Sequence, residues 1–347
     1  MKNKFITKIL IAVLAFPLLV IYFSCQSPAG PEDLTPGRRD YSWTVDTLNY
    51  PFNTIYRIWG SSPIDVWSIS SGGFLDKTIF HFDGNNWTTD GISRSISPSA
   101  IFGFSSSNVY IGGSNGRIWH FDGSNWKQIA ELSKDENNQV GFDNMWGESP
   151  NDIYAFGAYP DSNSLFNNSV IAHFTNNNWS ILNTDGLKGI VENLYKNKTD
   201  QKIYLRVISI GGIVSIDSSN IFEYLQGKFN KIYSSSVDNA NTSLINNEVY
   251  FVLGREIARR IDNKFQTIFN VDVPNFYNNI WGRNSNDIFL SMTDGLAHYN
   301  GNTIEYLLHF DKPRTQIFGA MLFDKDVFFL VYESQTNLNL IHHGRLK

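Results

Sequence analysis

Cysteine occurs once in the 347 residues, at Cys25. That excludes a disulfide framework and any zinc site built on paired thiolates. Charge is sparse as well, at 18% of residues, with 28 Lys and Arg against 33 Asp and Glu for a net charge of −5. Lys2, Lys4 and Lys8 lie together at the N-terminus, so the rest of the chain is more acidic still. Such a chain lacks the cationic surface on which generic nucleic-acid binding rests. No 3.6-residue apolar period runs through it, which sets aside helical solenoids and coiled coils. What is plentiful is aromatic: 26 Phe, 16 Tyr and 9 Trp, or 15% of the chain, within a hydrophobic fraction of 42%. That composition belongs to a globular protein and excludes a disordered or collagen-like one.

The one long apolar run, Ile9 to Phe23, follows the three lysines and carries Pro17. It is short for a membrane-spanning helix, which needs about 20 residues. Cys25 comes directly after it and resembles the lipidated cysteine of a bacterial lipoprotein signal. Ser24 suits that pattern, whereas Tyr22 and Phe23 depart from it. An uncleaved signal anchor or simple secretion are the alternatives. Residues 26–39 hold three Pro and two Gly with almost no large apolar side chain, the composition of a flexible linker. The expected layout is a lipoprotein-type signal segment over 1–25, a linker over 26–39 and a folded domain over 40–347, in the bacterial cell envelope and outside the cytoplasm.

Three landmarks recur in fixed order through that domain. The first is an aliphatic–aromatic–Gly triplet, as in Ile58-Trp59-Gly60, Ile101-Phe102-Gly103, Met145-Trp146-Gly147, Ile280-Trp281-Gly282 and Ile317-Phe318-Gly319. The second, eight residues on, is Asp65-Val66-Trp67 and its copies at Tyr110, Tyr154 and Phe289. The third is His81-Phe82-Asp83-Gly84 followed by Trp87, repeated at His120, His173 and, more weakly, His298. Degenerate copies around Tyr195 to Phe229 and Ile245 to Phe265 complete the series, giving a mean period of about 43 residues. Short apolar runs and polar turns at this period predict an all-β, seven-bladed β-propeller of four-stranded blades A to D, six or eight blades being the alternatives. The seventh unit stops after strand C, and Tyr41-Ser42-Trp43-Thr44 resembles the strand D segment Asn86-Trp87-Thr88. The N-terminal strand is therefore expected to complete the last blade, since an open ring would expose two sheet edges.

The repeat resembles a family of bacterial envelope propellers with WGSSxxDVW and HxDGxxW signatures. The resemblance covers residues 41 to 347 and is strong in four of the seven units. It implies a propeller and export, and assigns no activity. Kelch and WD40 signatures are absent from the sequence.

Five histidines, His81, His120, His173, His298 and His342, are read as one repeat slot, with Tyr224 and Arg260 filling it in the degenerate units. Equivalent slots in different blades are spread around a ring and do not converge as metal ligands must, so these side chains should bridge strands within their blades. Repeat-slot Trp and Phe should pack between blades. Asp83 and Asp122 read as turn formers rather than calcium ligands. No metal and no cofactor is called for.

The A–B and C–D turns are stereotyped, whereas the B–C and D–A connections vary, and these lie on one face of a propeller. Variable loops on a rigid ring are where binding sits. Two residues before the aromatic slot of each strand A stand Arg57, Ala100, Asn144, Asn193, Ser243, Asn279 and Gln316. Their polarity suggests a ring of neutral hydrogen-bonding groups at the channel mouth. Asp143, Glu192 and Arg314 would supply charge and Tyr159 or Tyr277 an aromatic platform. The expected function is a non-catalytic binding module, attached to the membrane through Cys25, for a glycan or an envelope protein. The candidate ligand-binding residues are Arg57, Asn144, Asn193, Asn279, Gln316, Asp143 and Glu192. No catalytic motif stands in a convincing context. A glycan-active enzyme using Asp143 and Glu192 as acid and base is the alternative, and an assembly scaffold with a flat apolar face is a third.

Overall fold

The computed structural model describes residues 35–50, 53–72, 75–211 and 215–347. Cys25 and the signal segment lie outside the described residues. The fold is a seven-bladed propeller of four-stranded antiparallel sheets. Blade 1 runs Arg57–Ser62, Asp65–Ile69, Ile79–Phe82 and Trp87–Thr88. Blades 2 to 7 begin with strands A at Pro98–Ser105, Gly141–Ser149, Ile190–Lys196, Ala240–Ile245, Phe276–Asn284 and Thr315–Leu322. These strands touch in succession, and that of blade 7 returns to that of blade 1, which closes the ring.

Closure takes the predicted form. Strand D of blade 7 is Tyr41–Leu48, paired residue for residue with Asn339 to Leu346 of strand C, Leu338–Leu346. Trp43 stands opposite Gly344, as Trp87 stands opposite Phe82. A Cβ at Gly344 would meet the Trp43 ring at 2.7 Å, so glycine lets the indole lie flat on the strand. The chain is clasped even earlier than expected. Gly37 N–H donates to the carbonyls of Asn286 (2.9 Å) and Asn300 (3.3 Å), and Arg39 donates to Thr303, Glu305 and the His298 carbonyl. A Cβ at Gly37 would meet Asn286 O at 2.5 Å. Residues 37–39, assigned above to the linker, therefore belong to the folded body, on the face of the A–B and C–D turns.

The core is divided into seven clusters, one at each seam between blades. Trp59, Trp67, Ile101 and Ile111 fill the seam between blades 1 and 2; Tyr41, Phe289, Ile317 and Phe329 fill that between blades 6 and 7. The aromatic repeat residues thus pack between blades as expected. Fully burying one such side chain stabilises by about 1.5–3 kcal/mol.

A polar unit within each blade fixes strand B to strand C. His81 Nε2 meets Asp65 at 2.8 Å while its ring stacks on Trp67 at 4.0 Å. His173 with Asp152 and His298 with Asp287 repeat the bond at 2.6 and 2.7 Å, and His120 uses Asn108 at 2.9 Å. In blade 7 the unit is His343 with Asp326 (2.8 Å), stacked on Phe328. His342 points to the other face, near Phe310. The register likewise puts Glu223 and Arg259, rather than Tyr224 and Arg260, in the slot of blades 4 and 5. In each case the expected residue is one off, and a one-residue slip reverses the face of a strand. At the C–D turns, Asp83 and Asp122 accept two backbone N–H groups each, leaving Gly84 and Gly123 at φ near +95°. Those bonds and Lys127 hold the Asp122 carboxyl down at about 2.

Gly344→Val should drive Trp43 off the closing strand and cost about 1–3 kcal/mol, as overpacking does, read as a lower urea midpoint at unchanged m-value.

Candidate functional site

The variable connections do share a face, because they touch one another. Gly72 in the B–C loop of blade 1 donates its N–H to Ser97 Oγ in the next D–A connection, at 2.8 Å. Tyr159 donates its hydroxyl to Asp135 at 3.1 Å in the same manner between blades 3 and 2.

On this side of the channel the start of strand A is bulged in blades 2, 3 and 4. The extra residue is Ser99 in blade 2, Asp143 in blade 3 and Glu192 in blade 4. The bulge carbonyls serve as acceptors for the neighbouring blade. Asn144 Nδ2 donates to Glu192 O at 3.2 Å, and Asn193 Nδ2 donates to Asn241 Oδ1 (2.8 Å) and Thr242 O (3.0 Å). Asn241 Nδ2 in turn reaches Asn278 O (3.0 Å) and Asn279 Oδ1 (2.5 Å). Arg57 spans blade 2, where Ala100 leaves room, and donates Nε to Asp143 O at 3.1 Å. Arg57, Asn144, Asn193 and Asn279 thus form part of a belt that staples successive blades.

Two members of the expected ring stand elsewhere. Phe156 opposes Asn144 and lies two residues beyond Tyr154, the partner of His173. The same count in blade 5 gives Val252, opposite Asn241, and in blade 7 gives Leu330, opposite Gly319. Asn241 therefore replaces Ser243, which occupies the aromatic slot. Gln316 is opposite Tyr332, outside the ring position. The misplacement has a physical source. Blade 5 has neither the aromatic nor the glycine at its landmark, and in blade 7 Ile317-Phe318-Gly319 spans the bulge instead of following it. The signal for Asn241 was the Asn two residues before the slot, shared with blades 3, 4 and 6.

Charge gathers beside the belt. Arg206, on strand B of blade 4 and only 7% exposed, pairs with Glu192 and Asp238 and donates Nε to Ala240 O at 2.8 Å. Burial opposes its charge, but the two carboxylates outweigh burial and raise its pKa. Arg206 stands where blades 3, 5 and 7 have Phe156, Val252 and Leu330, and Asp238 lies in a variable connection; sequence reading missed both. Asp143 is different: its carboxylate accepts no hydrogen bond from the described residues. Burial pushes it up to about 6, with Arg57 opposing the shift and Glu192 adding to it. Tyr277 is 44% exposed on this face and Arg314 is exposed at a left-handed φ of 58°. Of the two carboxylates in the acid–base alternative, Glu192 is paired with Arg206. Among the described residues no group of three or more Asp, Glu, His or Cys is arranged to hold a metal.

No protein-family model and no curated protein sequence matches the chain. Solved propellers match over nearly its whole length. YCF48 bound to D1 peptide superposes with a TM-score of 0.61 at 16% identity, over 93% of this chain and 99% of that one. A catalytically inactive virginiamycin B lyase from Staphylococcus aureus with quinupristin gives 0.66 at 13% identity, over 88% and 100%. The WD40 propeller domain of Doa1 gives 0.58 at 10%, over 88% and 98%. At such identities the likeness establishes the fold alone.

Because the folded Asp143 keeps its proton up to about 6 and an unfolded one loses it near 3.8, this residue lowers stability as pH rises through that window. Asp143→Asn should leave the melting temperature unchanged at pH 4 and raise it at pH 7, by a free energy on the order of 1–2 kcal/mol after allowance for partial exposure. Thermal melts at the two pH values check this.

Proposed function

We propose that this chain is a lipid-anchored propeller of the bacterial envelope, held through Cys25, that binds a segment of a protein partner on its variable-loop face without catalysis. The sequence features behind Cys25 and the WGSSxxDVW repeats motivate the anchor, the location and the family likeness. The chain joins the folded body at Gly37 to Arg39, on the opposite, turn-bearing face.

The observation that carries the reading is Asp143. A half-buried carboxylate without a hydrogen bond, set at the channel mouth beside Arg57 and Glu192, has unused capacity for a cation. Two carboxylates accompany Arg206, so adding an ionised Asp143 beside Arg57 leaves the mouth one negative charge in excess. A Lys or Arg side chain presented by an extended segment would balance it, with a charge-assisted hydrogen bond. The D1-peptide complex named for YCF48 is compatible with this mode. A glycan at the mouth has less support, because the Asn144, Asn193 and Asn241 amides that would serve a sugar already join blade to blade.

Binding of fluorescent peptides to the full chain in detergent, read by anisotropy, tests the proposal. Lys- or Arg-containing segments should bind more tightly as pH rises from 5 to 7.5, since the cation favours the ionised Asp143. Asp143→Asn should weaken binding about tenfold and flatten that pH profile. Affinity indifferent to both the substitution and the pH would overturn it.

A further inference from the structure

In blades 1, 2, 3 and 6 the residue that opens the C–D turn is polar: Asp83, Asp122, Thr175 and Asn300 stand at one register position. The residue that closes the turn there is Asn86, Asn125, Asn178 or Thr303. Blades 4 and 5 depart at both positions. Their register places Leu225 and Ile261 at the opening and Lys228 and Lys264 at the close. Neither aliphatic side chain is needed by its turn. The central residues, Gln226 (φ 51°) and Gly227 (80°) in one and Asp262 (49°) and Asn263 (62°) in the other, are all left-handed, the pattern of a two-residue hairpin closed by its backbone. Nor is either side chain buried, since Leu225 is 44% and Ile261 41% exposed.

The two tips belong to adjacent blades and are tied together. Lys202 Nζ donates to Glu223 Oε2 of blade 4 at 3.0 Å and to Asn263 Oδ1 in the blade 5 turn at 2.6 Å. Lys198 N–H donates to Asn247 O at 2.9 Å, which joins the A–B turns of the same two blades. Lys198, Lys228 and Lys264 are exposed, and their ammonium groups make no ion pair with the described residues. Lys231, one step further along strand D of blade 4, lies over the Phe222 ring at 5.6 Å. Asp200 and Asp262 are the acids beside these four lysines, so the tips carry a positive excess in a chain whose net charge is −5. The segment with the apolar run Ile9 to Phe23 joins the body on this same face, at Gly37 to Arg39.

We propose that the C–D tips of blades 4 and 5 form a membrane-docking surface, on which Leu225 and Ile261 dip below the headgroups of an anionic phospholipid leaflet while Lys228 and Lys264 meet its phosphates. An aliphatic side chain three residues from a lysine suits that boundary, because apolar atoms gain from leaving water there and an ammonium gains from the negative surface. The long lysine stems let the charge stay at headgroup depth while the tip goes deeper. A protein partner fits less well: a specific interface buries about 800 Å² on each side around a packed apolar centre, and here two aliphatic side chains stand on separate hairpins among lysines. The docking is a property of the folded body and does not require a lipid on Cys25.

The test uses the full chain with Cys25→Ala, so that one introduced cysteine carries a polarity-sensitive dye: Leu225→Cys, Ile261→Cys or, on the loop face, Ile92→Cys. Each is mixed with vesicles of phosphatidylcholine, with and without phosphatidylglycerol, and emission is read on the chain that floats with the vesicles. The dyes at positions 225 and 261 should shift to the blue on the anionic vesicles, and the dye at position 92 should not. Lys228→Ala with Lys264→Ala should lower the docking constant read from that shift about thirtyfold, with the thermal melt unchanged. The inference is overturned if no chain floats with anionic vesicles, if the dyes at 225 and 261 report water on chain that does, if the dye at 92 shifts equally, or if the lysine pair makes no difference. Water-like emission on floating chain would turn the search toward an acidic protein instead. The Cys25 anchor is read separately, by flotation of unlabelled chain with Cys25 intact, so the two readings fail independently.

Discussion

Everything in this molecule depends on closing a ring, and closure rests on the pairing of Tyr41–Leu48 with Leu338–Leu346. Each blade has one face that only the next blade can cover, so a missing partner anywhere would expose an apolar face and two unpaired edges. Joining the two ends of the chain in one sheet makes every seam equivalent. It also converts a long-range contact, costly in chain entropy to form, into the condition for all seven hydrophobic clusters. The Gly37 and Arg39 contacts with blade 6, and the bond from Arg283 to the Tyr41 hydroxyl at 2.5 Å, fasten that closing strand to the neighbouring blade.

Closure also explains what the inner polar residues do. Strands A converge on the axis, where bulges free carbonyls that have no partner within their own sheet. A short amide side chain from the previous blade donates to such carbonyls, Glu192 O, Thr242 O and Asn278 O, at 3.0–3.2 Å. Four successive blades therefore carry Asn at one position, from Asn144 to Asn279. The ring is polar because its backbone must be satisfied across blades, and polarity there is not by itself a sign of a ligand. Groups left over once this requirement is met are more informative. Asp143, whose carboxylate has no donor among the described residues, is one such group.

The same logic separates strain-free repetition from specialisation. Where the repeat is intact, as in His81 with Asp65 or the Asp83 turn, the side chains serve the blade. Where it is broken, material is missing or added. Blade 1 loses most of its strand D, blades 4 and 5 trade a polar turn residue for the exposed Leu225 and Ile261, and blade 4 replaces a strand B core residue with Arg206 and gains a buried ion cluster. Departures from the repeat are therefore the places at which this fold acquires individual chemistry.

Sequence alone settled the all-β class, the seven blades, the closing strand and the face that carries the variable loops. Those follow from short-range rules: alternation of apolar residues, Asx-Gly turns and a period of about 43 residues. It also singled out Asn144, Asn193, Asn279 and Asp143, because they sit at a fixed offset from an intact Trp or Tyr, but not the blade-to-blade bonds that the asparagines make. The tertiary structure decided what local pattern does not encode. Strand register places His343 rather than His342 in the histidine slot, and a bulge at Phe318 displaces Gln316 from the ring in favour of Gly319. The loss of the landmark aromatic in blade 5 concealed Asn241. Arg206, Asp238 and the paired tips at Leu225 and Ile261 became visible only in three dimensions, since each depends on strand register and on which blade lies against which.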